Sequence, residues 1–298
     1  RSLGATGTWN IFGGTAQTKD LSVGRFERAT GTLNVTNGSL LLPNHSLIIG
    51  REGAGHVNIS GGSVIAGHVL IATNTTSSGT VAVTGGELIT GEFTVGDASG
   101  TAGSATISGG AVRVTNDTQN ATLLVANGTM TVGGASMQVD SLVVTNTSSS
   151  LHLNDGTIQS SSTLIKNGQP FVVGDGTHPA VFRLNGGTHT FSNGLVISQN
   201  ASVIGCGQII GAIQNSGTLS TNCGGTVTAP TLSNAQRNGA KFTFTFQSEA
   251  NVVYTVEYKD NLTDPAWTKL SDYTGTGGSV TVTDDVTTNT RFYRVVIF

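Results

Sequence analysis

Apolar and polar residues alternate in short runs over the first two thirds of the chain, and the runs recur at a fixed distance. Ile11-Phe12-Gly13-Gly14-Thr15, Val35-Thr36-Asn37-Gly38-Ser39, Ile59-Ser60-Gly61-Gly62-Ser63, Val83-Thr84-Gly85-Gly86-Glu87 and Ile107-Ser108-Gly109-Gly110-Ala111 each end one run and begin the next. The second glycines stand at 14, 38, 62, 86, 110 and 134, a constant step of 24; the next steps are 22 to Gly156 and 31 to Gly187. A second element repeats in phase: Leu21-Ser22-Val23-Gly24, Leu47-Ile48-Ile49-Gly50, Val69-Leu70-Ile71-Ala72, Phe93-Thr94-Val95-Gly96, Phe171-Val172-Val173-Gly174 and Leu195-Val196-Ile197-Ser198. The period of two within each run predicts strands, and the glycines predict corners where the chain needs positive φ.

A repeat this short, with about three strands of three to five residues, buries no core alone. Stacked copies do, because each coil pairs its backbone with the coils above and below while inward Val, Ile and Leu form ladders. The expected fold class is therefore all-β: a parallel β-solenoid of about 24 residues per coil, over residues 1–228. About nine coils at ~4.8 Å each give a rod of roughly 40 Å. An ordinary sandwich also has closely spaced strands, but nothing in it demands a constant period.

The pattern changes near Pro230. Residues 229–298 hold 10 of the 17 aromatics and only 4 of the 42 glycines. Phe242, Phe244 and Phe246 alternate with polar residues, as do Tyr254, Val256 and Tyr258, then Val280 and Val282, then the run around Phe292. With turns at Asn238-Gly239, Asp260-Asn261 and Gly277-Gly278, this predicts about six strands of a small antiparallel sandwich.

Charge narrows the function classes. Only 10% of the residues are charged and the net charge is −3, which leaves no footprint for nucleic acid. No run of 18 apolar residues exists, so membrane insertion by a helix is not expected. The chain opens at Arg1 inside what reads as structured sequence, as expected of a processed mature protein. Cys206 and Cys223 lie 17 residues apart, about one short coil, so stacking brings them side by side. A disulfide there would staple the end of the solenoid by about 3 kcal/mol and would imply an oxidising, extracellular compartment; two free thiols in a cytosolic protein are the alternative.

Two resemblances follow from these residues. Leu21-Ser22-Val23-Gly24 with Gly31-Thr32-Leu33-Asn34-Val35-Thr36-Asn37-Gly38, followed by the G-x-G-x-I-x-G-x-I-x-N-x-G-T-L run from Gly205 to Leu219, resembles the passenger-type β-helix repeats of bacterial autotransporters and related secreted surface proteins. The resemblance implies a secreted surface protein and says little about activity. Tyr254-Thr255-Val256-Glu257-Tyr258-Lys259-Asp260 and Arg291-Phe292-Tyr293-Arg294-Val295 look like strands of a fibronectin-III or immunoglobulin-type domain, a sandwich with seven strands or more.

Candidate chemistry is sparse. Solenoid lyases and hydrolases need clustered acids with Arg or Lys on one face, and residues 1–228 contain ten acids. The densest group, Glu87, Glu92 and Asp97, is expected at different corners of one coil. His56 and His68 are half a coil apart, which puts them on different faces; His152, His178 and His189 surround an irregular coil. No zinc-type spacing or calcium nonapeptide occurs, and Gly174-Asp175-Gly176 is a lone turn. Catalytic residues, metal and cofactor are therefore not expected. The segment Lys166–Pro179 reads as an inserted surface loop that explains the 31-residue step. Of eleven N-x-S/T sequons, Asn44 and Asn74, in apparent turns, are the accessible candidates for glycosylation.

A solenoid presents open strand edges at its two ends, and a heterologous contact that does not close makes a filament. The expectation is a non-enzymatic extracellular structural protein that polymerises head to tail. Its joint would be an N-terminal segment (Arg1, Ser2, Leu3, Trp9 and Ile11, with Trp9 as anchor) docking by strand addition on Phe292, Tyr293, Val295 and Phe298 of the next copy. A monomeric adhesin or carbohydrate-binding module, with surface polysaccharide as partner, is the alternative; it predicts exposed aromatics in a stripe. A polysaccharide lyase is the third reading.

Overall fold

A computed structural model describes residues 4–97, 101–221, 230–248, 253–263, 267–286, 288 and 290–297. It is all-β among the described residues, with no helix. The chain divides into two compact units, Arg1–Asn222 and Cys223–Phe298.

Unit 1 is a parallel β-solenoid. Its first face is a ten-stranded sheet of β1 (Thr6–Ile11), β4 (Thr30–Val35), β6 (Ala54–Ile59), β8 (Ser78–Val83), β10 (Gly103–Ile107), β13 (Gly128–Val132), β15 (Ser149–Leu153), β17 (Phe171–Val173), β19 (Leu195–Ile197) and β21 (Ile213–Asn215), in that order. The remaining strands form a bent twelve-stranded sheet that supplies the second and third faces. These are β2 (Thr15–Gln17), β3 (Leu21–Val23), β5 (Ser39–Ile49), β7 (Ser63–Ile71), β9 (Glu87–Val95), β11 (Ala111–Val114), β12 (Thr122–Val125), β14 (Ala135–Val144), β16 (Gly156–Ile165), β18 (Ala180–Phe191), β20 (Ser202–Ile210) and β22 (Thr218–Ser220). The 24-residue period is the register: Thr6, Thr30, Ala54 and Ser78 lie on successive rungs.

Alternation explains the faces. In β7, Val64 and Ala66 are buried, Gly67 and His68 break the phase together, and Val69 and Ile71 are buried again. That phase break is the bend between the second and third faces. The Gly-Gly corner before β7 has a steric cause: Gly62 has φ +69°, and a Cβ there would meet the carbonyl oxygen of Gly38 at 2.3 Å. Inward ladders such as Leu40, Val64, Leu88, Val112, Met137, Ile158, Phe182 and Val203 run through the whole stack, all of them buried. Outside the first face, Asn34 donates from Nδ2 to Asn10 Oδ1 and Asn58 to Asn34 Oδ1, both at 2.8 Å, an amide ladder one rung per step.

Two sequence expectations change. Phe171–Val173 and Leu195–Ile197 belong to the first face with β1, not to the third with Leu21–Val23, because Leu153 pairs with Val173 and Phe171 with Leu195. An apolar triplet before a turn is the same local pattern on either face, and only register separates them. Consequently Lys166–Pro179 is no inserted loop: it contains the rung β17. Gly156 pairs with Ala180, a step of 24, and Gly187 sits at the bend inside β18 where the register shifts. The 31-residue step joins two different corners.

Unit 2 has six described strands in two antiparallel sheets. One is β23 (Ser233–Asn238), β24 (Lys241–Gln247) and β27 (Ser279–Asp285), in that order; the other is β26 (Thr268–Thr274), β25 (Val253–Lys259) and β28 (Phe292–Ile297). Phe244, Phe246, Tyr254, Val256, Val282 and Val295 form its core. Asp284 of β27 ties the sheets together, accepting from Arg291 Nη1 at 2.9 Å and from the Tyr293 hydroxyl at 2.8 Å. Arg291 Nε also donates to Asp260 Oδ1 at 2.7 Å, and its guanidinium lies 3.9 Å from the Tyr258 ring centroid. The guanidinium holds Asp260 below the usual carboxylate range, while burial and then Asp284 push the Tyr293 phenol up.

Candidate functional site

The first coil is where the core meets the surface. Trp9 occupies the inward column of β1, in register with Leu33, Val57 and Val81. Leu33 is 1% exposed but Trp9 is 40% exposed, because β1 is paired only on its β4 side among the described strands. The third face ends likewise at Leu21, which stands in the column of the buried Leu47 and is itself only half-buried. Trp9, Leu21, Val23 and Leu33 line a mouth of about 350 Å³ together with Ala5, Gly7 and Arg25. An indole in a core column, over a cavity of that size, is an exposed apolar surface. Leu21 is a mouth residue that the repeat pattern does not single out, although its place one coil before Leu47 is readable in it.

Of the other anticipated joint residues, Ile11 is buried, two residues beyond Trp9 on the same side of β1. Arg1, Ser2 and Leu3 lie outside the described residues, as does Phe298. Phe292 and Tyr293 are half-buried in β28, and Val295 faces the core of unit 2. Phe242 stacks on Tyr293 with centroids 5.0 Å apart. Among the outer described strands of unit 2, β23, β26 and β27 are rich in polar or charged residues; β28, Phe-Tyr-Arg-Val-Val-Ile, carries one charge and pairs only with β25 among the described strands. It is the least protected edge of that unit.

The acids and histidines singled out in the sequence are scattered rather than gathered. Glu87 begins β9 and accepts from Arg113 Nε at 2.7 Å; Glu92 lies beyond the bend of the same strand, with Oε2 2.9 Å from His68 Nδ1; Asp97 follows the strand. His56 is on the first face beside Thr80 at 2.7 Å, and His68 is on the third. Asp175 caps its own turn through the backbone and side chain of His178 and through Thr177, which lowers the acid and raises the imidazole. No group of three His, Cys, Asp or Glu able to hold a metal exists among the described residues.

The composition of the core did not reveal one polar cluster. His189 occupies an inward column, fully buried, where Leu142 and Thr163 precede it. Its Nε2 donates to the carbonyl of Gly186 at 2.8 Å, and Nδ1 lies 2.9 Å from the Thr163 hydroxyl. Burial lowers its pKa, so the ring is neutral and held by partners on both nitrogens. It shares the interior with Phe171, Phe182 and Phe191 and serves packing.

Cys206 lies in β20; its proposed partner Cys223 lies outside the described residues. Asn44 is exposed, with φ 61°, at the bulge in β5, and Asn74 is exposed in a corner loop where its Oδ1 accepts from Thr75 N at 2.8 Å. No helix is long and apolar enough to cross a membrane among the described residues. Comparison with protein-family models, curated proteins and solved structures finds no match to this chain.

Proposed function

We propose that this protein is an extracellular structural element that joins head to tail into a surface filament and has no catalytic role. The observation that carries the reading is Trp9, a core-column indole exposed at the mouth of the first coil. In the proposed joint, the first coil and the segment before it meet the β28 edge of the next copy by strand addition, and Trp9 is withdrawn from water. The two edges are different surfaces, so the contact is heterologous and propagates. The resemblance to autotransporter passenger repeats and to fibronectin-III or immunoglobulin domains fits such a secreted scaffold. In this reading the acceptor is β28, an outer strand that pairs only with β25 among the described strands.

A Cys206–Cys223 disulfide closing the last coil and glycans on Asn44 or Asn74 belong to the same extracellular reading. Their checks are the mass shift on reduction and alkylation, and glycopeptide mapping.

Negative-stain electron microscopy at low micromolar concentration tests the filament. Fibres are expected from the wild-type protein, and Trp9→Arg, which puts a charge in the joint, is expected to leave single particles. Wild-type protein that stays monomeric, or Trp9→Arg protein that polymerises normally, overturns the reading.

A further inference from the structure

We infer that the third corner of the first three coils is a binding cleft for a neutral glycan. Three stacked loops of unequal length make it. Six residues, 24–29, join β3 to β4; four, 50–53, join β5 to β6; six, 72–77, join β7 to β8. The short middle loop recedes between the two longer ones, and the notch has a volume of about 330 Å³, at the lower end for ligand sites. Glu27 and Arg28 line it from the first loop, Glu52 from the second and Thr76 from the third.

The notch is rigid. Ala54 N donates to the carbonyl of Ala29 at 2.8 Å, Gly53 N to that of Gly24 at 3.1 Å, and Ser78 N to that of Gly53 at 3.1 Å. Gly53 is the floor; a Cβ there would meet the carbonyl oxygens of Phe26 at 2.3 Å and Ala29 at 2.4 Å. Side chains around the notch thus project from a backbone with little room to move.

The charges are concentrated and uncommitted. Of the eight Lys and Arg between residues 1 and 221, three are Arg25, Arg28 and Arg51 on these loops, beside Glu27 and Glu52. Among the described residues, Glu27, Arg28, Arg51 and Glu52 form no ion pair, although the surface pairs elsewhere are made. Holding like and unlike charges in one notch without pairing them leaves carboxylate acceptors and guanidinium donors available to a ligand.

Ligand chemistry follows from the mixture. Two carboxylates disfavour a phosphate or uronate, and Arg28 disfavours a metal ion. A chain of neutral hydroxyls satisfies both, since each hydroxyl donates to a carboxylate and accepts from a guanidinium. Phe26, 49% exposed on the same first loop, has the Arg25 guanidinium 5.4 Å from its ring centroid. The exposed aromatics of the solenoid, Trp9, Phe12 and Phe26, all lie in the first coil, whereas Phe93, Phe171, Phe182 and Phe191 are buried.

The test is isothermal titration of the full chain with two neutral probes, cellohexaose and maltohexaose, and with polygalacturonate as the acidic counterpart. At least one neutral hexasaccharide is expected to bind with a Kd tighter than about 10 mM. Glu52→Ala and, separately, Arg28→Ala are expected to weaken that binding by about tenfold or more, with the circular dichroism spectrum unchanged. Arg113→Ala, on the second face, is expected to leave it intact. Failure of both neutral probes, binding of polygalacturonate alone, or binding indifferent to both cleft variants would each overturn the inference. Fibre formation is scored separately by microscopy, so the cleft and the filament stand or fall apart.

Discussion

The two units solve the problem of a small core in opposite ways. The solenoid repeats one solution: inward aliphatic columns, nearly no charge, and coils held by the ladders above and below. The sandwich uses few core residues but heavy ones, Phe244, Phe246 and Tyr254, and adds a charged clasp, Arg291 with Asp260 and Asp284, where its sheets meet. A stacked repeat can spread a defect over its neighbours; a clasp concentrates its contribution in one network. The chain has two tryptophans, Trp9 in the solenoid and Trp267 in the sandwich, so single-tryptophan variants read each unit by fluorescence during urea unfolding.

The largest effect is expected from Phe93→Ala, which empties a fully buried position in the middle of the third-face ladder between Val69 and Leu123. A loss of about 4 kcal/mol is expected by the Trp9 probe. A loss below about 1 kcal/mol would mean that the coils relax into the hole. Next, Asp284→Ala leaves the Arg291 guanidinium with Asp260 alone and the Tyr293 hydroxyl without its acceptor. About 3 kcal/mol is expected by the Trp267 probe.

A smaller effect separates them by pH. Burial lowers the pKa of His189, so the unfolded chain takes up a proton at this ring that the folded core refuses. Solenoid stability is therefore expected to fall as the pH drops through about 6.5, with a slope of at most ~1.4 kcal/mol per pH unit. His178 works in the opposite sense, because Asp175 raises its pKa and the stability it adds is lost as the pH rises. His189→Leu is expected to remove the acid-side loss; an unchanged slope in that variant would assign it to other groups. The smallest effect is expected from Asn34→Ala, which cuts two rungs of the amide ladder on the first face and costs about 0.5–1 kcal/mol.

Much of the fold was legible because the repeat is local. The glycine step of 24 and the apolar alternation between glycines carry the solenoid, since any sequence in which Val35, Ile59 and Val83 recur at that spacing places them in one column. The irregular coils were not legible. Phe171–Val173 reads the same whether it lies on the first or third face, and a local pattern holds no memory of phase once the step changes from 24 to 22. The buried His189 was equally hidden, because its partners Thr163 and Gly186 reach it through the stack and the bend.

The candidate surfaces divide in the same way. Glu27 and Glu52 stand 25 residues apart, but no local pattern in the sequence marks them as partners. That they frame a notch depends on loop lengths that become visible only when strand ends are known. Trp9 was identifiable as an unusual apolar residue near the first repeat, but its exposure comes from the register that sets it in a core column at the end of the stack. Composition and period, being properties of the chain, determined that it winds into stacked β coils and then changes to an antiparallel sandwich. Which residues share a column, which charges remain unpaired and where the core opens were decided by the tertiary structure, because those depend on distances between residues a whole coil or more apart.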